Sequence, residues 1–118
     1  MDLNYRFWIA SDENERIFGY GLYQLLRYVK LLGSLNKACH AMNIPYHKAS
    51  FIISRCEKHF NKPIIIRAAG GVGGGGSVVS DFALGLMKRY EDFLEDADLQ
   101  LRQLYLEYFN DLDQGEIQ

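Results

Sequence analysis

The sequence has little of what marks secreted, disulfide-rich or membrane-spanning proteins. Cys39 and Cys56 are its only cysteines, and one pair fits reduced, buried thiols better than a disulfide framework, with a metal or redox role as the alternative. No apolar run approaches the ~20 residues of a membrane span. Residues 1–6 contain no apolar signal stretch. We therefore expect a cytoplasmic protein whose 118 residues form one globular core.

Patterns of catalytic chemistry are also missing. The histidines, His40, His47 and His59, are not set among acids at metal-ligand spacing, and no serine stands on a strand-to-helix elbow. The glycine-rich run 70–76 satisfies the dinucleotide fingerprint, but a short strand follows it where that motif needs a helix. A phosphate-binding P-loop would need a lysine directly before Ser77. We expect neither enzyme activity nor a bound cofactor.

Acidic side chains are scarce in the middle of the chain. Residues 33–89 carry eight basic and two acidic side chains, whereas residues 90–118 carry Arg102 against nine acids. The net charge of -2 hides this segregation. A basic middle and an acidic tail suit a DNA-facing module with a separate, solvated association element. The alternative is that the basic residues only solvate surface helices, and charge alone does not separate the two interpretations.

Glycine, in contrast, is concentrated at one place. Six of the seven residues 70–76 are glycine, and short strand patterns stand on both sides, at 63–67 and 77–79. This arrangement predicts a β-hairpin with a flexible tip, followed by a last helix capped by Ser80. Upstream, the patterns predict a strand pair at 4–11 and 16–18 and helices at about 22–32, 35–42 and 45–60.

Helix, turn, helix and hairpin follow one another in the order of a winged helix-turn-helix. The predicted fold class is therefore α+β: a winged helix-turn-helix over residues 1–90 with a Gly-rich β-hairpin wing at 64–79, an N-terminal strand pair and a long C-terminal helix. Gly33 and Asn43 are the expected left-handed stops of the first two helices. Pro45 suits the first turn of the third helix.

In this architecture the helix 45–60 enters the major groove with its N-terminal half. Its first turns therefore hold the candidates for base contacts, which are Tyr46, His47, Lys48 and Ser50. Candidates for DNA backbone contacts are Ser54, Arg55 and Lys58 further along the helix, Ser34 at the start of the preceding helix, and Arg67, Gly73 and Gly74 in the wing. For each polar side chain the alternative is an ordinary solvated surface.

The last helix, predicted over 81–112, carries an apolar seam at alternating steps of three and four. The seam consists of Met87, Tyr90, Leu94, Ala97, Leu101, Leu104 and Tyr108. A cluster of polar residues near 96–98 suggests a bend or break. We expect the seam to form a homodimer, because a two-fold protein matches two DNA half-sites. The alternative is that the helix folds back over the first helix of its own chain.

These residues resemble a known family. The matching positions are Gly33-Ser34-Leu35, Ala38, Ile44-Pro45-Tyr46, Ala49, Ile53, Pro63-Ile64-Ile65, Arg67, and the run Gly70-Gly71-x-Gly73-Gly74-Gly75-Gly76. Together they resemble the N-terminal DNA-binding domain of the ModE-type molybdate-responsive regulators, over roughly residues 5–90. The resemblance implies a LysR-like winged helix-turn-helix that binds duplex DNA and regulates transcription.

The chain departs from that family at several positions. Pro45, Ser50, Phe51, Val72 and Ala83 replace residues common in the family, and Val72 weakens the wing's phosphate contact. No residues remain after position 118 for a molybdate-binding domain, so we expect a stand-alone form without an oxyanion site. A second interpretation is a winged-helix module that binds a protein partner through Tyr46, Phe51 and the stripe of the last helix.

Overall fold

The computed structural model describes residues 1–68 and 76–115, with side chains up to 112. The fold is α+β, with two small antiparallel sheets and four helices. The elements, in chain order, are β1 (Trp8–Ala10), β2 (Arg16–Gly19), α1 (Tyr20–Leu32), α2 (Leu35–Met42), α3 (Tyr46–Phe60), β3 (Ile65–Arg67), β4 (Ser77–Val79) and α4 (Asp81–Gly115). All eight were expected from the sequence, although β1 is shorter than the predicted 4–11.

The chain forms two compact units. One comprises Phe7–Met87, and the other comprises residues 1–6 together with the helix from Lys88 onward. Most of the glycine run, including Gly73 and Gly74 of the predicted wing tip, lies outside the described residues. The positions considered below for nucleic-acid contact all belong to the first unit.

The corner between α1 and α2 is built from the residues that the sequence marks as stops and caps. Gly33 has φ 71° and its N–H donates to the Val29 carbonyl, which ends α1. One residue later, the Ser34 hydroxyl accepts a hydrogen bond from the Lys37 amide and starts α2. Asn43 has φ 54° and ends α2 in the left-handed conformation. The predicted left-handed stops at Gly33 and Asn43 are confirmed.

The core of the first unit is centred on α1, which buries Leu22, Leu25, Leu26 and Val29. The other helices add side chains of at most 3% exposure, namely Leu35, Ala38, Cys39, Ala49, Ile53 and Cys56. Each fully buried Leu or Ile stabilises the fold by ~1.5–3 kcal/mol. Ile52 and Phe60 on the same helix are only half-buried. Phe60 lies at the core's edge, in an edge-to-face contact with Phe82.

The β3–β4 pair is fixed to its surroundings at both ends. Ile65 pairs with Val79 and Arg67 with Ser77. The Glu57 carboxylate of α3 accepts a hydrogen bond from the Ile64 amide at 2.8 Å. Beyond β4, the Ser80 hydroxyl donates to the Pro63 carbonyl and accepts from the Ala83 amide, which caps α4 as predicted. The strands are therefore held against α3 and the start of α4.

In the second unit, α4 continues without interruption through residues 96–98, so the break expected there is wrong. One acid at this point, Asp98, supports the helix by accepting a hydrogen bond from Arg102 one turn later at 3.0 Å. Tyr5 also donates to the Asp98 carboxylate, and Arg102 reaches Asp2 at 3.1 Å. The N-terminal residues are thereby tied to the middle of α4.

Candidate nucleic-acid interface

A groove of about 250 Å³ opens at the N-terminus of α2. We call it the α2 groove. Its polar lining comes from α2, α3 and the β3–β4 pair, and consists of Ser34, Asn36, Tyr46, Arg67 and Ser77. Three of the side chains predicted from the sequence for DNA contact, Ser34, Tyr46 and Arg67, are thus brought together from three separate segments. Asn36 and Ser77 were not predicted.

Backbone hydrogen bonds hold the groove together. The Ser77 amide donates to the Gly33 carbonyl at 2.9 Å, which joins β4 to the α1–α2 corner. The Ala68 amide donates to the Gly76 carbonyl at 2.9 Å and extends the β3–β4 pair by one step. A Cβ at Gly76 would lie 3.1 Å from the Gly33 carbonyl oxygen. Glycine therefore permits the close approach that places Arg67 near Ser34.

The electrostatics of the α2 groove favour an anion. Among the described residues, Arg67 is the only charged residue in its lining. Neither α2 nor α3 has an acidic residue in its first turn, so neither helix places a carboxylate of its own at the positive end of its dipole. Backbone N–H groups at a helix N-terminus bind phosphate readily, and an arginine adds charge and a planar set of donors.

The first turns of α3 lie beside this groove. Pro45 precedes the helix in an extended conformation with φ -64° and ψ 142°. The side chains of Tyr46, His47 and Lys48 are exposed, and Ser50 is half-buried. The three exposed side chains are available for contact with a ligand, and the Ser50 side chain is partly accessible.

The remaining α3 candidates lie elsewhere. Ser54, Arg55 and Lys58 line a cleft of about 630 Å³ between the C-terminal half of α3 and the β1–β2 turn. We call it the turn cleft. Its opposite wall carries three carboxylates, those of Asp12, Glu13 and Glu15. These acids were not predicted as part of any site, and the structure places them across the cleft from the predicted phosphate contacts.

The predicted seam of α4 becomes progressively more exposed along the helix. Met87 and Tyr90 are buried, whereas Leu104 and Tyr108 are 47% and 71% exposed. Leu94, Ala97 and Leu101, between them, are half-buried. Other large apolar side chains exposed on the same helix are Phe93, Leu99, Leu106, Phe109 and Leu112. The second half of α4 thus presents apolar surface to solvent.

The two cysteines are core residues. Cys39 and Cys56 are both buried and free, and burial raises the pKa of the Cys56 thiol to about 11. A thiol with such a pKa stays protonated and unreactive at neutral pH. Within the described residues, no three His, Cys, Asp or Glu side chains are grouped to hold a metal ion. None of the helices in those residues combines the length and hydropathy needed to cross a membrane.

The chain matches no family model and no curated protein. The resemblance to ModE-type regulators therefore remains a prediction from the residues that carry it.

Proposed function

We propose that this protein binds double-stranded DNA through a winged helix-turn-helix and regulates transcription. In this proposal α2 and α3 are the helix-turn-helix and residues 64–79 are the wing. The observation that supports it most is the α2 groove, where Ser34, Tyr46 and Arg67 converge at the N-terminus of a helix whose first turn contains no acid.

The α2 groove would hold one DNA phosphate. The Arg67 guanidinium supplies charge and a fork of donors, and the N-terminal amides of α2 point toward the same anion. The Ser34 hydroxyl already accepts from the Lys37 amide, and it keeps its own O–H to donate. A phosphate fixed here sets the position of the protein on the duplex without reading sequence.

Base contacts would then come from the start of α3. A phosphate held beside Tyr46 brings the first turn of α3 over the major groove. Lys48 and His47 are exposed there and carry donors suited to guanine O6 and N7. Ser50 and Tyr46 are the other two side chains proposed to contact bases. Arg55, Lys58 and Ser54 would at most add contacts to the DNA backbone.

A duplex-binding assay across a range of salt concentrations tests the proposal. We expect wild-type protein to bind pooled genomic fragments, and log K to fall linearly with log salt as phosphate contacts are lost. Arg67→Gln should flatten that slope by about one phosphate contact. Arg27→Gln is the matched control, because it removes the same charge from the exposed side of α1. Binding that is absent at low salt would refute the proposal, and salt-insensitive capture of proteins would favour the protein-interaction alternative.

We further propose that the protein is a homodimer held by α4. A second copy would cover the seam side chains that the single chain leaves exposed, Leu104 and Tyr108. Two copies would also present two copies of α3 to two half-sites.

Sedimentation tests the dimer. Each buried Leu contributes ~1.5–3 kcal/mol, so the Leu101→Asp, Leu104→Asp double variant should raise the dimer dissociation constant by about 100-fold or more. Leu99→Asp is the control, because Leu99 is 66% exposed and lies off the seam. A wild-type monomer at tens of micromolar would contradict the dimer while leaving DNA binding untouched.

A further inference from the structure

The turn cleft joins two oppositely charged walls around an apolar centre. Arg55, Lys58 and His59 lie on the α3 side, and three acids lie on the β1–β2 side. Between them the cleft is lined by Ile17, which is 3% exposed, and by the ring of Phe51. A cavity of about 630 Å³ is within the size range of sites for small molecules.

The basic wall is not neutralised by the protein. The Arg55 guanidinium lies 5.4 Å from the centroid of the Phe51 ring, and its Nε is buried without a hydrogen-bond partner among the described residues. In the same part of the chain, neither Arg55 nor Lys58 forms an ion pair. The Nη groups of Arg55 are not buried in this way, and they can donate two parallel hydrogen bonds to a carboxylate in the cleft.

The acidic wall is held in place by the backbone of its turn. The Ser11 amide donates to the Glu15 carbonyl and the Asn14 amide to the Ser11 carbonyl, both at 2.8 Å. Asn14 has φ 65°, and the Ser11 hydroxyl accepts from the Glu15 amide. The carboxylates of Asp12 and Glu13 form no ion pair within the described residues. The conformation of the turn is thus held by its own hydrogen bonds and does not depend on the basic side chains of α3 across the cleft.

We propose that the turn cleft binds a zwitterionic small molecule of the amino-acid class. The ligand's carboxylate meets Arg55 and Lys58, its ammonium group meets the acids of the turn, and its methylene chain lies against Ile17 and Phe51. A dianion would be repelled by one wall and a dication by the other. The site does not depend on DNA binding and would exist if that proposal failed.

The test uses isotope-labelled protein and amide NMR, with ω-amino acids from β-alanine to ε-aminocaproate as probes. At least one member of the series should give saturable shifts confined to residues 11–17 and 51–59. Caproate and hexylamine, which each carry one of the two charges, should bind about tenfold more weakly or not at all. No saturable shift across the whole series would overturn the proposal, and so would caproate or hexylamine binding as well as the zwitterion.

Two variants separate the walls. Arg55→Gln and Glu13→Gln should each weaken the best probe by about tenfold, whereas Arg27→Gln should leave it unchanged. Glu13 is exposed on a turn held by backbone bonds, so its variant keeps the test valid if Arg55→Gln misfolds. If Glu13→Gln bound the best probe as tightly as wild type, the acidic wall would have no role in binding and the proposal would be overturned.

Discussion

The α2 groove and the turn cleft are both lined by α3, at opposite ends of the helix, and they differ in charge. Tyr46 borders the groove, whose lining among the described residues contains Arg67 and no acid. Arg55 borders the cleft, where three acidic residues lie across from it. The two arginines therefore differ in their expected attraction for a polyanion. Under the proposed function a phosphate would bind in the groove, whereas at the cleft the acids would reduce the attraction.

The charge counted along one stretch of the sequence does not describe the charge of the surface that this stretch forms. Residues 33–89 carry a balance of +6, but the acids of the β1–β2 turn lie outside that stretch and fold against its basic residues. The net charge of one segment describes the charge of a surface only when no other segment contributes residues to that surface.

The largest expected effect comes from reversing the charge of the two arginines. Arg67→Glu should weaken duplex binding by about 2 kcal/mol, or roughly 30-fold in Kd, because it removes a charge-assisted phosphate contact and adds repulsion. Arg55→Glu should cost about threefold in Kd, since three acids across the turn cleft already reduce the attraction of this region for DNA. Fluorescence anisotropy at low salt measures both. An equal or larger loss in Arg55→Glu would reverse the assignment of the two regions.

A smaller effect is expected from the two serines that border these regions. Ser34→Ala removes the cap of α2 and should lower the free energy of unfolding by about 1 kcal/mol. Ser54→Ala, on the exposed side of α3 in the cleft, should change it by less than about 0.5 kcal/mol. Chemical denaturation compares them. A cost at Ser54 that matches the cost at Ser34 would mean that the cleft depends on its hydroxyl for stability.

The local features of the fold could be predicted because each rests on neighbouring residues. Gly33, Asn43 and Ser80 end or begin helices through backbone conformation and short-range hydrogen bonds, which the sequence displays directly. The turn cleft could not be predicted, because only packing of β2 on α3 brings Glu13 to Arg55. The continuity of α4 was missed although part of its cause is local, since Asp98 pairs with Arg102 one helical turn later. The second partner of Asp98, the Tyr5 hydroxyl, is distant in the sequence and could not be predicted.

The smallest expected effect comes from neutralising the acidic turn. The Asp12→Asn, Glu13→Gln double variant should strengthen duplex binding by about two- to threefold at low salt, because it removes a repulsive field near the cleft. At high salt, where that field is screened, the variant should match wild type. An improvement as large as the loss in Arg67→Glu would place the cleft in direct contact with DNA.

An amide NMR titration with a short duplex at low salt tests directly whether the end of α3 beside the α2 groove faces DNA. We predict the largest shifts at residues 34–37, 46–50, 67–68 and 76–77, with residues 11–15 and 54–59 little changed. Shifts concentrated at 11–15 and 54–59, or no shifts at any of these positions, would contradict the account.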